Sequence, residues 1–320
     1  MGDIKICVIG AGSWGKNHIK TLKSLNALGA IIDSDPSIRI EMKRQYNKII
    51  VEGSIDESIM TRMDGIVIAT PPSTHFKLAK QIISMGKPLL VEKPMVLSMA
   101  EAMQLNDHLD QADGTLMVGH LLLFHPAILK MKSILDNGLL GDLQYIYSNR
   151  LNLGKVRENE NVFWSFAPHD ISIFQFMLDE FPSEVSSKGG AFLQKNIHDS
   201  SITYFKYPSG VHGHIFVNWL HPFKEHRLVM IGSKGSLHFE DSISAKPLIY
   251  YEKKNGESPL DLNQNIGELI EYEDELPLTN ELKYFIDCIK GAPIKIANIK
   301  DGIEVIKILE KGKIPLNNKK

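Results

Sequence analysis

Ile4-Lys5-Ile6-Cys7-Val8-Ile9-Gly10-Ala11-Gly12-Ser13-Trp14-Gly15 is an apolar run that breaks into three glycines spaced G-x-G-x-x-G. The run reads as a short buried strand. Behind the last glycine, Ile19, Leu22 and Leu25 recur at turn spacing, which marks a helix with one apolar face. In a strand–turn–helix unit each glycine has its own task. Gly10 allows the tight turn, Gly12 lets backbone approach a ligand, and Gly15 lets the helix lie close to the strand. A helix N-terminus presented this way offers free N–H groups and favours a phosphate. A second run, Ala30-Ile31-Ile32, ends at Asp33. That carboxylate falls about 20 residues after the glycines, placed to accept hydrogen bonds from a ribose diol. The spacing alone would be weak; with strand, helix and acid in place it predicts a dinucleotide site.

The alternation continues outward. Asp35-Pro36 reads as a helix cap followed by proline at the first helical position. Ser54 with Glu57, and Ser98 with Glu101, have the capping-box spacing. Between and beyond them come Ile66-Val67-Ile68-Ala69, Leu89-Leu90-Val91 and Leu116-Met117-Val118, and Gly86 follows a helix as its C′ residue. Runs without polar alternation belong to strands buried on both faces, so a doubly wound parallel α/β sheet of the Rossmann type is predicted. After His120 the texture changes. A helix over Pro126 to Asn137 stops at Gly138, and alternating strand segments follow: Leu143 to Leu153, Glu184 to Phe192, Ser201 to Tyr207, Val211 to Trp219, Leu228 to Ile231, Ser236 to Phe239 and Leu248 to Glu252. Turn signals at Pro208-Ser209-Gly210 and Ser233-Lys234-Gly235 predict hairpins and an open, mainly antiparallel sheet. Helices over Thr279 to Lys290 and Asp301 to Lys311 close the pattern. The expected domains are 1–121, binding the dinucleotide, and 122–320, an α+β substrate domain whose last helices can pack back on the first. Ile215, Val217 and Trp219 alternate on one sheet face. A single open layer leaves a face to cover, which predicts a homo-oligomer, dimer or tetramer, through that sheet.

Bulk properties exclude several classes. A formal net charge of −2 gives no electrostatic footprint for nucleic acid, and Lys319-Lys320 read as a solvated tail. Cys7 and Cys288 lie far apart without metal-ligand spacing, so no metal is expected, and Cys7 reads as a small buried hydrophobe. No apolar run reaches membrane-spanning length, and the short N-terminal run has no signal-peptide shape. Met1-Gly2 resembles a myristoylation start, but Ile6 replaces the required hydroxyl residue. The expectation is a soluble cytoplasmic protein with no membrane partner.

The chemistry points to Leu89-Leu90-Val91-Glu92-Lys93-Pro94. Ligands of open α/β sheets gather at the carboxyl ends of strands, where Lys93 should emerge. Most lysines are solvated surface charges. This one ends a buried strand beside a dinucleotide crevice, where burial and a cationic nicotinamide ring would lower its pKa and let it accept a hydroxyl proton. The cofactor side is expected to include Ser13, Trp14, Ser34, Thr70, Pro71, His75, Glu92 and His120 beside the glycines and Asp33. Trp14 reads equally well as a core residue under the turn, and Ser73 or Thr74 as a cap of the helix that follows Pro71-Pro72. Asp33 repels a 2′-phosphate and no arginine directly follows it, since Arg39 lies within the next helix. NAD is therefore favoured over NADP. A second site candidate is Phe163-Trp164-Ser165-Phe166-Ala167-Pro168-His169-Asp170, with His169 at the start of an apolar helix and Asp170 as its cap.

Gly10 to Gly15, Glu92-Lys93-Pro94 and the His169 segment, in this order, resemble the Gfo/Idh/MocA oxidoreductases, a likeness extending to Asp301-Gly302. The resemblance implies a Rossmann domain followed by a domain with an open antiparallel sheet, and a sugar or cyclitol hydroxyl as hydride donor. It also implies Lys93 and His169 as the site pair and a cis bond before Pro94. Two departures stand out. Ser165 replaces the aspartate that many members carry four residues before the histidine, and His120-Leu121-Leu122-Leu123 replaces an arginine after the sixth strand. Lys93 should then bear more of the base role.

Ser148 to Arg157 followed by Trp164 to Asp170 looks like the branch of that family acting on UDP-N-acetylglucosamine at carbon 3. That likeness implies a nucleotide-sugar substrate, with a 3-keto product passed to an aminotransferase. Physically, Arg150, Lys155 and Arg157 could offset a diphosphate, Asn152 could bond hydroxyls or an acetamido group, and Trp164 completes the expected substrate set. At least one of the three cations reads as a solvated loop charge. The rival readings are a dehydrogenase of free sugars or inositol, and a non-catalytic NAD-binding sensor.

Overall fold

The computed structural model describes residues 4–154, 156–157, 160–253 and 267–313. Two compact units emerge: Met1–Phe124 with Glu275–Ile306, and His125–Asp274 with Lys307–Lys320. In the first unit β1 (Ile6–Ile9), α1 (Gly15–Ser24), β2 (Leu28–Ile32), α2 (Pro36–Gln45), β3 (Ile50–Glu52), α3 (Glu57–Met60), β4 (Gly65–Ile68), α4 (His75–Ser84), β5 (Leu89–Glu92), α5 (Met99–Gln111) and β6 (Leu116–Gly119) alternate. The six strands are parallel in the order β3-β2-β1-β4-β5-β6. This is the doubly wound arrangement that the unbroken apolar runs predict: every residue of β1, β4, β5 and β6 is buried. The order reverses between β1 and β4, which opens a crevice at the carboxyl edge. Gly10, Asp33, Thr70, Lys93 and His120 all follow strand ends on that edge.

Local chemistry explains the element boundaries. Asp35 caps α2 by accepting from the Ser37 N–H (2.8 Å), and Ser98 caps α5 through the Glu101 N–H (3.2 Å). The expected Ser54–Glu57 box is not used. Asp56 caps α3 instead, through the Ser58 N–H at 2.8 Å, because its carboxylate sits directly before the helix. Strand β3 was not apparent in the sequence pattern; only Val51 of its three residues is buried.

The second unit contains α6 (Pro126–Asp136), β7 (Leu143–Leu151), α7 (Val162–Leu178), β8 (Glu184–Gly190), β9 (Ser200–Lys206), β10 (His212–Asn218), β11 (Glu225–Gly232), β12 (Gly235–Glu240), β13 (Leu248–Glu252) and β14 (Glu268–Leu269). They form one open sheet, β14-β13-β12-β11-β7-β10-β9-β8, antiparallel except where β7 pairs parallel with β10. Helix α7 covers one face against β7, β9 and β10. Ile215, Val217 and Trp219 are buried in this unit's core and are not the residues left open. The half-exposed positions of β10 alternate with them. There the cross-strand neighbours line up as Tyr204–His214–Tyr147–Val229–His238 and Lys206–His212–Tyr145–Ile231–Ser236.

The chain then returns to the first unit. Helix α8 (Pro277–Ile289) packs on α1 and on the 3-10 turn Leu121–Phe124. Helix α9 (Ile299–Lys311) starts just after Ala297, whose carbonyl accepts from the Val118 N–H at 2.7 Å. A Cβ on Gly302 would stand 2.9 Å from Val118 and 3.1 Å from the Met95 sulfur, so α9 lies hard against the loop that follows Lys93.

Within the second unit Asp199 is a buried organiser that the sequence pattern does not flag. Its carboxylate accepts from the Trp219 indole (2.5 Å) and from the N–H groups of Phe192 (2.6 Å) and Leu193 (2.9 Å). Asp199→Ala strands those donors, and a loss of about 2–4 kcal/mol is expected in urea unfolding followed by tryptophan fluorescence. A change within about 0.5 kcal/mol would show that these bonds are replaced by water at no net cost.

Candidate active site

The glycine turn has the geometry a dinucleotide needs. Gly10 adopts φ +94°, and a Cβ there would meet the Ala69 carbonyl oxygen at 2.7 Å. A Cβ on Gly15 would lie 1.9 Å from the Gly10 carbonyl oxygen, whereas one on Gly12 would meet open space. The open position is where a pyrophosphate approaches backbone. Asp33 fixes the turn to the end of β2: its carboxylate accepts the Ala11 N–H (2.7 Å) and the Asp35 N–H (2.9 Å) and keeps capacity for a diol. Arg39 spends Nη1 on the carbonyls of Asp33 (2.9 Å) and Ser34 (2.8 Å). Ser13 and Ser34 are exposed at this edge. The residues present thus fit a dinucleotide with a free ribose diol.

At the end of β5, Glu92 is the hub. Its Oε1 accepts from the Trp14 indole (2.5 Å) and lies 2.6 Å from His18 Nε2, while the Lys93 N–H reaches Oε2 at 3.2 Å. Burial pushes this carboxyl up; the His18 and Trp14 bonds and the Lys93 charge outweigh burial and hold it below the ordinary carboxylate range. Trp14 is therefore not a core residue; it is 41% exposed at the glycine turn and tethered by its ring nitrogen. Lys93 is half-buried, and the Lys93–Pro94 bond is cis. His75 was expected on the cofactor. It is instead fully buried, with Nδ1 at 2.9 Å from the Pro94 carbonyl and Nε2 at 2.8 Å from that of Thr70, and so it braces two loops. Thr74 does not cap α4 through its side chain: its hydroxyl donates to the Pro71 carbonyl (2.8 Å) and contacts the Thr70 hydroxyl (2.6 Å). Pro71 is exposed. His120 is buried beside Glu92, and burial lowers its pKa to about 4.

In the second unit the histidine segment differs from expectation. Helix α7 begins at Val162, where Asn161 caps it through the Trp164 N–H at 3.0 Å, so Pro168 is inside the helix and His169 is mid-helix. Asp170 is not a cap. It is 2% exposed and accepts from Arg150 Nε (2.7 Å), Arg150 Nη2 (3.0 Å) and the Ser148 hydroxyl (2.5 Å). Two of the three Arg150 nitrogens expected to face a diphosphate are thereby committed to an internal fork, because a buried carboxylate requires a paired cation. Arg157 is exposed with Glu160 at 3.6 Å; Asn152 and Trp164 are half-buried; Lys155 lies outside the described residues.

Glu281, His18 and the Asp170 fork were not singled out from the sequence. A signal existed: Glu281 and His18 occupy the apolar stripes of α8 and α1, beside Leu282 and Phe285 and beside Ile19 and Leu22. A charged residue at a core position of an amphipathic helix marks a site to examine.

The oxidoreductase family with an NAD-binding Rossmann fold, Gfo/Idh/MocA, matches residues 4–120, and the C-terminal domain of the same family matches 128–238. The chain belongs to the Gfo/Idh/MocA oxidoreductases, and its cofactor is NAD. It is 24% identical over 255 residues to scyllo-inositol 2-dehydrogenase (NAD(+)) of Bacillus subtilis, covering 73% of each chain. It is 27% identical over 185 residues to UDP-N-acetylglucosamine 3-dehydrogenase of Acidithiobacillus ferrooxidans, covering 58% of this chain and 57% of that one. A crystal structure of the latter enzyme superposes with a TM-score of 0.86 at 20% identity, over 98% of this chain and 97% of that one. The aldose-aldose oxidoreductase of Caulobacter crescentus superposes at 0.84 with 14% identity, over 97% and 96%. At these identities the superpositions speak for the fold. Among the described residues no helix is long and apolar enough to cross a membrane.

The Arg150 fork carries a pH signature. His226 Nδ1 lies 3.5 Å from Arg150 Nη1, and burial, then the Arg150 charge, lowers its pKa to about 4. The unfolded state takes up a proton near pH 6.5 while the folded state resists it. Stability from this group is full above that pH and is lost as pH falls toward about 4. Urea midpoints measured from pH 8 to 4 should decline over this window, and His226→Gln should flatten part of the decline. An unchanged slope would remove His226 from the account.

Proposed function

We propose that this oxidoreductase oxidises the carbon-3 hydroxyl of a UDP-linked N-acetyl sugar, UDP-N-acetylglucosamine, to the 3-keto sugar, which an aminotransferase then consumes. One observation supports the chemistry above others. Lys93 follows a buried Glu92 that is hydrogen-bonded to Trp14 of the glycine turn, so a base is anchored to the cofactor cradle itself. Bound NAD supplies the hydride acceptor. Lys93 takes the hydroxyl proton, with His169 as the second polar group of the site. The nucleotide-sugar choice rests on Asn152, Trp164, Arg157 and Lys155 and on the likeness to the Acidithiobacillus enzyme. Because Arg150 pairs with Asp170, this reading gives the diphosphate contact to Lys155 and Arg157.

A second reading, a dehydrogenase of inositol or free sugars, is favoured by the similarity to the Bacillus enzyme, which spans more of the chain. A panel of UDP-N-acetylglucosamine, N-acetylglucosamine, glucose and inositol with NAD, read as NADH formation with an aminotransferase drawing off product, separates the two. Activity with the free sugars and none with the UDP-sugar would replace the first reading by the second. Lys93→Ala should lower kcat by about 10²–10⁴-fold with NAD affinity little changed. Full cellular function in that variant would instead favour an NAD-binding sensor.

The half-exposed Tyr and His rows of the second-unit sheet support a homo-oligomer through that face. Light scattering should give a dimer or tetramer, and Tyr147→Lys with Val229→Lys should shift it toward monomer. A monomeric wild type would end the idea.

A further inference from the structure

Glu281 takes no part in the chemistry proposed above. It lies on α8 at 0% exposure, and neither carboxylate oxygen has a hydrogen-bond partner. Leaving a buried carboxylate unsatisfied is costly unless something neutralises it. The surroundings supply candidates for that role. One ligand atom each from Glu281, His18 on α1 and Glu92 at the end of β5 lie within 4.8 Å of one another, and all three residues are buried. His18 is itself 0% exposed and its Nδ1 has no partner. His120, which follows Gly119 opposite Glu92, is 2% exposed with neither ring nitrogen partnered. Two carboxylates this close repel each other unless a proton or a cation lies between them.

We propose that His18, Glu92 and Glu281 form a binding site for one divalent cation of zinc type, placed beneath the glycine turn. The donor set selects the class. Imidazole with carboxylates suits zinc and its first-row neighbours, whereas calcium takes about 6–8 oxygens and has too few here. The 2.6 Å contact of His18 Nε2 with Glu92 is a hydrogen-bond distance, so the metal-free form holds a proton there. The cation displaces that proton, draws the ligand atoms to about 2.0–2.2 Å from itself, and leaves the Trp14 indole as an outer hydrogen bond to Glu92. The site ties α1, β5 and α8 together within the first unit and is independent of which sugar is oxidised.

The test uses the untagged full-length chain, stripped with chelator and titrated with zinc by calorimetry and native mass spectrometry. One zinc per chain is expected, with a rise in Tm that follows mass action. Glu281→Gln and Glu281→Leu, checked for folding by circular dichroism, should each lose at least about tenfold in affinity and the Tm rise with it. No uptake by the wild-type chain, or equal uptake and Tm shift in Glu281→Leu, overturns the proposal in favour of a protonated Glu281. Cobalt provides a readout that needs no variant. The wild-type chain should show visible d–d absorption that zinc abolishes, and a colourless cobalt-treated protein overturns the site as well.

Discussion

The bond from the Trp14 indole to Glu92 is the constraint on which the first unit depends. It joins the turn that receives phosphates to the strand end that presents Lys93. Each partner is fixed by something else: Trp14 by the tight Gly10–Gly15 turn, Glu92 by His18 behind it. A buried, ionised carboxylate is costly, and it persists here because indole, imidazole and amide groups face it together. His75 extends the same logic to the neighbouring loops, its two ring nitrogens standing 2.9 Å and 2.8 Å from the carbonyls of Pro94 and Thr70. The glycine turn and the backbone at Lys93 are therefore set by one hydrogen-bonded assembly, and displacement of either alters both.

The second unit uses a different device. Arg150 and Ser148 on β7 grip Asp170 on α7, next in sequence to His169. The fork holds α7 in rotation about its axis against the sheet, which fixes the direction in which His169 leaves the helix. Removing one partner of such a buried pair is costly because the other is left uncompensated. A residue that reads as a ligand for anions outside the protein thus serves an anion inside it.

The parallel sheet was legible because strands buried on both faces leave unbroken apolar runs, and the glycines carried their own explanation. The hairpins of the second unit were legible through alternation and turn residues. Strand β3 was not, since one buried Val51 between a half-buried Ile50 and an exposed Glu52 makes no pattern. The start of α7 was missed because Pro168 reads as a boundary when Asn161 supplies the real cap. The roles of Arg150, His75 and Glu281 depend on partners distant in sequence, and local periodicity holds no record of those. For Glu281, its place on the apolar stripe of α8 was the one local trace.

Gly302 sets a further condition through its close approach to Met95 and Val118. The loop carrying Lys93 is shaped by a helix that comes some two hundred positions later in the chain. During synthesis, the glycine turn and its strands emerge early, while the wall that presses the Met95 loop into place is still unmade. The unit that opens the polypeptide is thus among the last to close, and a ribosome-bound chain short of α9 carries Lys93 on a loop that has not yet been set.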